Sequence, residues 1–461
     1  MVRKERDSLG GMELPDDVYY GIQTVRAIMN FPVSGIMERK EFVEAYVLIK
    51  KAAAVTNMEL KMLDKARGNA IVQAADEVLD GEFRNQFIVD VFQAGAGTSF
   101  NMNVNEVLAN RALEILGKEK GDYEFLSPND HVNMAQSTND TFPTASHIAC
   151  VTASGPLINA IDDLAKAFQK KGEEFMEVPK SGRTHLMDAT PLTLGHEFNA
   201  YSSSLLNAKR RIKQRRDDLL EIPLGSTAVG TGVNAHPEYR EKVVNEISKH
   251  TSFQFRPAKD SFEALQSRAQ LASFSGSLRE LSLELIRIAN DLRLLGSGPT
   301  TGLAEIKLPP VQPGSSIMPG KVNPVMAECL NMVAFHVIGN DTTVGLAAQA
   351  GQIDLNVFTP VMIHNILESM DILSNYLPVF QKRCVEGIEA DEVRCRAYLE
   401  KNPSMATLLS PKIGYLAAAE LAKEALDKGV SVKELAVEKG IITEKEADEI
   451  FRLDYLIKSI Y

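Results

Sequence analysis

Residues 260–296 read DSFEALQSRAQLASFSGSLRELSLELIRIANDLRLLG, and they give the strongest fold signal in the chain. Apolar residues recur three and four positions apart, as at Leu281, Leu285 and Ile288, which is the period of an α-helix rather than of a strand. At about 1.5 Å per residue, the stretch predicts one helix of roughly 55 Å. A helix of that length, apolar around much of its circumference, predicts a bundle shared between subunits.

Four further segments have the same helical period and are bounded by Pro and Gly clusters. They are residues 140–175, 192–220, 324–350 and 360–387. Strand signals are weak throughout the sequence, so the predicted fold class is mainly α.

Changes in helix length and charge density along the sequence predict three domains. Short helices and polar turns are typical of residues 1–138, which we interpret as a mainly helical N-terminal domain. The long helices occupy residues 139–390, the predicted central bundle. Charge-dense, short amphipathic helices predict a small C-terminal helical domain over residues 391–461.

The composition excludes several classes of partner. The chain has 461 residues, with 50 Lys and Arg against 61 Asp and Glu, and a formal net charge of −11. An acidic surface repels phosphate backbones and anionic membranes, so we expect neither as a partner. The sequence contains neither an apolar run of about eighteen residues nor a signal-peptide pattern. The four cysteines form no CxxC pair, which argues against zinc and disulfides and favours the cytoplasm.

The segment PGSSIMPGKVN, residues 313–323, has the most unusual composition. Its glycines allow a loop to open and close, and its small hydroxyls can approach a reacting atom. The ammonium of Lys321 suits a carboxylate. The alternative is an ordinary turn, because Gly, Pro and Ser are also common turn residues.

Two polar clusters lie where helices are predicted to begin. They are GAGTSFNMNVNE, residues 95–106, and QSTNDTFPT, residues 136–144. Free backbone N–H groups and the positive end of the helix dipole make a helix start suitable for a carboxylate. Ser137, Thr138 and Asn139 are also ordinary N-cap residues, so simple capping is the alternative.

The segment GRTHLMDATP, residues 182–191, contains Thr184 and His185. Imidazole changes charge near neutral pH, although a lone His is more often a structural residue. Other motifs fail: His196-Glu197 has no second His one helical turn later, and no Gly pair completes GxGxxG. The residues therefore predict no metal and no nucleotide cofactor.

The segment PGSSIMPGKVNP resembles the signature GSSxMPxKxN of the fumarase/aspartase superfamily, and every fixed position matches. The resemblance continues in family order through GAGTSFNMNVNEVLANR, HVNMAQSTNDTFPT, SGRTHLMDATPLTLG and STAVGTGVN. It implies a three-domain, mainly helical fold with a twenty-helix core in a homotetramer. It also implies active sites shared between three subunits, and no cofactor.

The family reaction is anti elimination from a succinyl-type dicarboxylate to give fumarate through an enediolate carbanion. The resemblance implies that Ser315 is the general base, and that Lys321 and Asn323 bind and polarise the adjacent carboxylate. It also implies that His185 is a catalytic residue of the substrate-binding ring and that Glu328 orients it. The remaining substrate-binding residues implied by the family motifs are Thr98, Ser99, Ser137, Thr138, Asn139 and Thr184.

Details of the motifs favour elimination of ammonia from L-aspartate over the alternative, a class II fumarate hydratase that acts on L-malate. Ser99 stands where fumarases usually have Gln, Thr138 where they have Ser, and Ser127 where they have His. His185, in contrast, is the usual residue of fumarases. Thr300 departs from the Arg that is usual in the family. A non-catalytic structural role is a further alternative. The presence of both Ser315 and Lys321 argues against it.

Overall fold

The computed structural model describes residues 2–452. Residue 1 of the predicted N-terminal domain and residues 453–461 of the predicted C-terminal domain lie outside the described residues. The helices are α1 (Ile22–Asn30), α2 (Lys40–Glu59), α3 (Lys65–Leu79), α4 (Thr98–Ile115), α5 (Thr138–Glu174), α6 (Leu194–Asp218), α7 (Tyr239–Lys249), α8 (Glu263–Gln266), α9 (Ala269–Leu295), α10 (Val325–Gln349), α11 (Thr359–Arg383), α12 (Glu392–Lys401), α13 (Ser410–Ile413), α14 (Tyr415–Lys428), α15 (Val432–Glu438) and α16 (Glu444–Ile450).

The prediction of a mainly helical fold is confirmed. The helices predicted over residues 140–175, 192–220, 324–350 and 360–387 correspond to α5, α6, α10 and α11. Their ends agree to within about four residues because Pro and Gly lie at the expected boundaries.

The prediction of a single helix over residues 260–296 is wrong at its N-terminal end. α8 ends at Gln266, Ser267 has extended backbone with φ −90° and ψ 148°, and α9 begins at Ala269. The Arg268 guanidinium donates to the carbonyls of Ala264 and Ser267 at 2.9 and 2.7 Å, and so satisfies acceptors at the break. α9 has 27 residues, which corresponds to about 40 Å.

Residues 2–452 also contain four two-stranded ladders that the sequence did not predict, because their strands are only two to seven residues long. The strands are β1 (Val2–Asp7), β2 (Gly10–Pro15), β3 (Pro179–Thr184), β4 (Met187–Thr193), β5 (Glu221–Ile222), β6 (Arg256–Pro257), β7 (Ile306–Lys307) and β8 (Glu389–Ala390). β1–β2, β3–β4 and β7–β8 are antiparallel, and β5–β6 is parallel.

Residue contacts divide the described chain into two units. The first unit comprises residues 2–158, 210–282 and 335–374, and the second unit comprises residues 159–209, 283–334 and 375–452. The boundaries fall inside α5, α6, α9, α10 and α11. The division into domains 1–138, 139–390 and 391–461 stays a prediction.

An aromatic cluster in the first unit holds the starts of α4 and α5 against α2. Phe42 and Tyr46 of α2 pack on Phe100 of α4 and Phe142 of α5, with ring centroids between 4.9 and 5.9 Å apart. All four side chains are fully buried, and each contributes about 2 kcal/mol of apolar burial. The cluster therefore fixes the first turns of two helices that carry predicted site residues.

The second unit has its own apolar packing. Phe168 and Phe175 of α5 pack on Phe198 of α6 with ring centroids 6.0 and 5.2 Å apart. Near the chain end, the short helices α12 to α16 surround a separate buried cluster that includes Leu399, Leu409 and Leu435. Within residues 2–452, no helix combines the length and apolar character that crossing a membrane requires.

Acid should destabilise the first unit through His147, which is 6% exposed and whose Nδ1 lies 2.9 Å from the carbonyl oxygen of Glu221. Burial lowers the pKa of His147 from 6.5 to about 4. Between these values the unfolded imidazole binds a proton that the folded one does not. The free energy of unfolding therefore falls as the pH falls through this window, by up to about 3 kcal/mol.

Urea unfolding of the wild type and of His147→Gln at about pH 7.5 and about pH 4.5 measures this contribution. We expect a smaller loss of stability on acidification in the variant. An equal loss in the two proteins contradicts the assignment to His147.

Candidate active site

Helix α4 begins after three consecutive residues with left-handed backbone. Gly95, Ala96 and Gly97 have φ angles of 82°, 56° and 91°. A Cβ on Gly97 would lie 1.9 Å from Cδ2 of Phe142, so only Gly fits this position. The sharp turn leaves Thr98 exposed at the start of the helix, where backbone N–H groups lack partners within the helix.

Thr98 and Ser99 line a cleft of about 550 Å³ in the first unit, together with Arg6 and Arg26. The Thr98 hydroxyl donates to the carbonyl of Gly95 at 2.7 Å. Because its one proton is used in this bond, the Thr98 oxygen is left as an acceptor.

Helix α5 begins at Thr138, and Ser137 caps it. The Ser137 hydroxyl accepts a hydrogen bond from the backbone N–H of Asn139 at 3.2 Å. Ser137 is half-buried and Thr138 is buried. The capping interpretation is therefore correct for Ser137, and it leaves the dipole end of a 37-residue helix beside Thr138.

The side-chain amide of Asn139 has one possible orientation. Its Nδ2 donates to the carbonyl oxygen of Ala228 at 2.7 Å, and a carbonyl only accepts. The Oδ1 oxygen of Asn139 has no partner among residues 2–452 and is left as an acceptor, as in Thr98.

Asp140 is fully buried and joins the start of α5 to the glycine-rich loop at residues 225–232. Its carboxylate accepts backbone N–H groups from Ser137 at 3.0 Å, Gly225 at 3.0 Å and Thr227 at 2.8 Å. Burial raises the pKa of Asp140 to about 7, against the opposite effect of these three donors and of Lys50. The carboxylate thus holds the segment that fixes Asn139.

Lys50, a fully buried residue of α2, belongs to no sequence motif and was not predicted as a site residue. Its ammonium donates to the side-chain oxygens of Asn101 at 2.7 Å, Asn133 at 2.9 Å and Gln136 at 2.8 Å. Three donors thus meet three neutral acceptors, which places a cation behind the starts of α4 and α5. Burial lowers the pKa of Lys50 to about 7. The only sequence signal was a Lys inside the apolar run YVLIKKAAA.

In the second unit, hydrogen bonds close the neck of the loop at residues 314–323. The Gly314 N–H donates to the Lys321 carbonyl at 2.9 Å, and the Asn323 side chain donates to the Gly314 carbonyl. A Cβ on Gly314 would lie 2.5 Å from the Lys321 oxygen. The Lys321 ammonium also donates to the Asn323 side-chain oxygen. Lys321 and Asn323 are therefore brought together at the neck of the loop that carries Ser315.

The Ser315 hydroxyl oxygen accepts two hydrogen bonds within its own loop. Its Oγ accepts backbone N–H groups from Ile317 at 3.2 Å and Met318 at 2.9 Å. Hydrogen bonds donated to an oxygen favour its charged form. The loop itself therefore supplies two donors to the Ser315 oxygen.

Thr184 and His185 lie at the exposed end of the β3–β4 hairpin, also in the second unit. His185 and Leu186 have φ angles of 56° and 60°, a conformation that is unfavourable for residues with a Cβ. Glu328 lies in the first turn of α10. Among the described residues, no hydrogen bond joins the His185 ring to the Glu328 carboxylate, so this pairing stays a prediction.

Comparison with known families identifies the family to which the chain belongs. Residues 10–339 match the family described as "Lyase", and residues 405–458 match "Fumarase C C-terminus". The chain belongs to the fumarase/aspartase superfamily.

Relatives in this superfamily match nearly the whole chain. An aspartate ammonia-lyase of Bacillus subtilis is 51% identical, covering 97% of this chain and 94% of the relative. An aspartate ammonia-lyase of Escherichia coli is 46% identical, covering 100% and 97%.

Solved structures agree with this relationship. The fumarate lyase:delta crystallin from Brucella melitensis bound to cobalt has a TM-score of 0.95 and 47% identity, covering 99% of both chains. A class II fumarase from Schistosoma mansoni has a TM-score of 0.93 and 35% identity, covering 98% of both.

The turn at Thr300, where this superfamily usually has Arg, is supported from another helix. The Arg394 guanidinium of α12 donates to the carbonyl of Pro299 at 3.0 Å, and the Tyr398 hydroxyl lies 3.4 Å from the carbonyl oxygen of Gly302. A different arginine therefore contacts this turn.

The predicted site residues fall into local groups. The first unit holds Thr98, Ser99, Ser137, Thr138 and Asn139, and the second unit holds Thr184, His185, Ser315, Lys321, Asn323 and Glu328. Within residues 2–452, no cluster of three or more His, Cys, Asp or Glu side chains has an arrangement that suits a metal ion.

Replacing Lys50 should destabilise the fold strongly. Lys50→Met leaves the side-chain oxygens of Asn101 and Gln136 without their donor, and each unsatisfied buried acceptor costs about 1–3 kcal/mol. Asn133 Oδ1 keeps donors from other side-chain amides at 3.2 and 3.3 Å. We expect the free energy of unfolding in urea to fall by at least about 2 kcal/mol.

Lys51→Met is the matched control, because within the described part of the chain Lys51 pairs only with the half-exposed Asp76, at 2.6 Å. We expect it to change the free energy of unfolding by less than about 1 kcal/mol. Equal losses in the two variants would contradict the structural role of the Lys50 contacts.

Proposed function

We propose that the chain catalyses the reversible anti elimination of ammonia from L-aspartate to give fumarate. Relatives with 45–51% identity over nearly the full chain, including those of Bacillus subtilis and Helicobacter pylori, are aspartate ammonia-lyases. This similarity supports a carbon–nitrogen lyase.

The observation that carries the proposal is the state of two polar side chains in the first unit. Thr98 uses its one hydroxyl hydrogen on the carbonyl of Gly95, Asn139 uses one of its two amide hydrogens on the carbonyl of Ala228, and both keep an oxygen acceptor. An ammonium group donates up to three hydrogen bonds and suits two acceptors at once, whereas a hydroxyl donates only one.

In the proposed reaction, the ionised Oγ of Ser315 removes a proton from Cβ of the substrate. The two backbone N–H groups on Oγ stabilise this base before the transfer. The electron pair moves into the adjacent carboxylate as an enediolate, which Lys321 and Asn323 stabilise by charge and hydrogen bonding. The Cα–N bond then breaks and the ammonium leaves as neutral ammonia, so no strong acid is required.

The remaining predicted residues have binding roles in this proposal. Ser99, Ser137, Thr138 and Thr184 donate hydrogen bonds to the substrate carboxylates, helped by the N-terminal ends of α4 and α5. His185 accepts a hydrogen bond from the substrate ammonium, and Glu328 orients its ring.

We further propose a homotetramer with active sites shared between three subunits. Exposed apolar side chains on the long helices favour burial against other copies. They are Leu283, Leu294, Met332, Phe335 and Leu346. Sedimentation should give four times the chain mass of 50.6 kDa. Activity should also return when Ser315→Ala and His185→Ala subunits are dissociated and mixed.

The four free cysteines of the described chain support a reducing compartment, and we place the activity in the cytoplasm. Fractionation of cells followed by immunoblotting tests this location.

The first measurement is ultraviolet absorbance of fumarate formed from L-aspartate or L-malate in separate cuvettes, with ammonia assayed in the former. We expect fumarate and ammonia from L-aspartate. Fumarate from L-malate alone would instead identify a class II fumarate hydratase, the function of the Schistosoma mansoni relative.

The variant Ser315→Ala should lower kcat by at least about 100-fold, which is the usual contribution of a general base. Because Ser315 lies on a loop whose neck is closed by Gly314, Lys321 and Asn323, the variant should keep its assembly state. Size-exclusion chromatography provides the control. Retained turnover in an assembled variant would exclude Ser315 as the base.

A further inference from the structure

A buried carboxylate lies beneath the hairpin that carries Thr184 and His185. Glu305 is 0% exposed, and its Oε2 forms an ion pair with Lys180 Nζ at 3.0 Å and accepts a hydrogen bond from Arg183 Nη1 at 2.9 Å. Both cations belong to β3, and all three residues lie in the second unit. One carboxylate oxygen therefore contacts the side chains of two residues on the same strand.

The spacing of these two cations is unusual for a strand. Residues three apart on a regular strand point to opposite faces, yet Lys180 and Arg183 meet the same oxygen. The pairing register with β4 shifts between Ser181 and Arg183, in the interval that contains Gly182. A strand irregularity of this kind redirects side chains near functional sites.

Gly182 makes the irregularity possible. A Cβ there would lie 2.6 Å from the carbonyl oxygen of Thr190, so a larger residue would push the two strands apart. Asn402, itself buried, holds both strands at this level by donating to Ser181 Oγ at 3.0 Å and to the Ala189 carbonyl at 2.7 Å. The base of the hairpin is thus fixed by polar contacts.

The end of the hairpin is exposed, and its contacts include the hydrogen bond that the Ser404 hydroxyl donates to the Asp188 carbonyl at 2.9 Å. Thr184 to Asp188 are exposed, and the turn residues His185 and Leu186 both have positive φ. A shift of one residue in the pairing would send Thr184 to the opposite face. The orientation of Thr184 and His185 therefore depends on the contacts at the base of the hairpin.

We propose that Glu305 is a positioning residue, which locks Lys180 and Arg183 across the strand irregularity and thereby orients Thr184 and His185 towards the substrate. The proposal rests on the function proposed above, in which these two residues bind substrate. It concerns geometry and local charge, and Glu305 itself touches no reacting atom.

The charge balance around Glu305 gives the proposal a measurable signature. Glu305 offsets two cations, and Lys180 has Glu197 as a second partner at 2.7 Å, whereas the carboxylate nearest to Arg183 is Glu305. Removing the Glu305 charge leaves Arg183, two residues from His185, without its ion pair. An uncompensated cation beside the substrate-binding residues disfavours protonation of the groups around it, so the acidic limb of the pH profile should move to lower pH.

The test compares Glu305→Gln with Glu197→Gln, a matched change of a carboxylate whose ion-pair partner among residues 2–452 is Lys180 alone. We expect Glu305→Gln to lower kcat/KM by about 30-fold or more, and to move the acidic limb of its pH profile down by about half a unit. Glu197→Gln should change kcat/KM by less than about threefold, with no shift of the limb. Glu305→Asp, which keeps the charge, should restore the position of the limb.

A second variant guards against failure of Glu305→Gln to fold. Arg183→Leu removes a cation from the same pair, so the acidic limb should move up instead of down. Circular dichroism and thermal melting check that each variant is folded. Unchanged kinetics in folded Glu305→Gln, or equal effects of Glu305→Gln and Glu197→Gln without a shift of the limb, would overturn the proposal. If neither Glu305 variant folds, an unshifted limb in Arg183→Leu would overturn it as well.

The wild-type control separates this proposal from the proposed function. Each protein is assayed with both L-aspartate and L-malate, and each variant is compared with the wild type on the substrate that the wild type uses. Activity of the wild type with L-malate alone refutes the ammonia-lyase proposal, while the ratios between variants still decide the role of Glu305.

Discussion

The first unit depends on the buried carboxylate of Asp140. Three backbone N–H groups, from Ser137, Gly225 and Thr227, converge on it. An unpaired buried carboxylate would cost several kcal/mol, so these donors are obligatory partners and cannot drift apart. Through them the start of α5 and the glycine-rich loop become one rigid piece. The orientation of the Asn139 amide follows, because Ala228 belongs to that loop.

The predicted site residues are held in position by different kinds of polar interaction in the two units. In the first unit, neutral oxygens surround the buried ammonium of Lys50, and the free ends of side chains near the helix starts are acceptors. In the second unit, Lys180, Arg183 and Glu305 form a buried ion network that fixes a hairpin. Both arrangements are polar, and the loss of one member would leave buried polar groups of the others without a partner.

Sequence patterns located the long helices well because α5, α6, α10 and α11 are bounded by Pro, Gly and capping residues. The same patterns failed at Ser267, where the helix is interrupted although the apolar period continues. There the Arg268 side chain, instead of backbone N–H groups of a continuing helix, donates to the carbonyls at the break. They failed again at β3 and β4, since the first four residues of β3 are all buried and no alternation is visible. Ser315, Lys321, Asn323 and the two helix starts were found from motifs that are contiguous in sequence. Lys50 and Glu305 were not found in this way, because their partners lie 51 to 125 residues away in the sequence.

The sequence by itself determined the mainly helical fold, the family and the residue types available for chemistry, because helical period, capping and loop motifs are local properties of the chain. Tertiary structure alone decided how those residues are held: the acceptor state of Asn139, the cation behind Asn101, and the carboxylate under the hairpin of His185. Each of these depends on a hydrogen bond or ion pair between distant segments. Such contacts form only when folding removes water from both partners, and no local pattern records them.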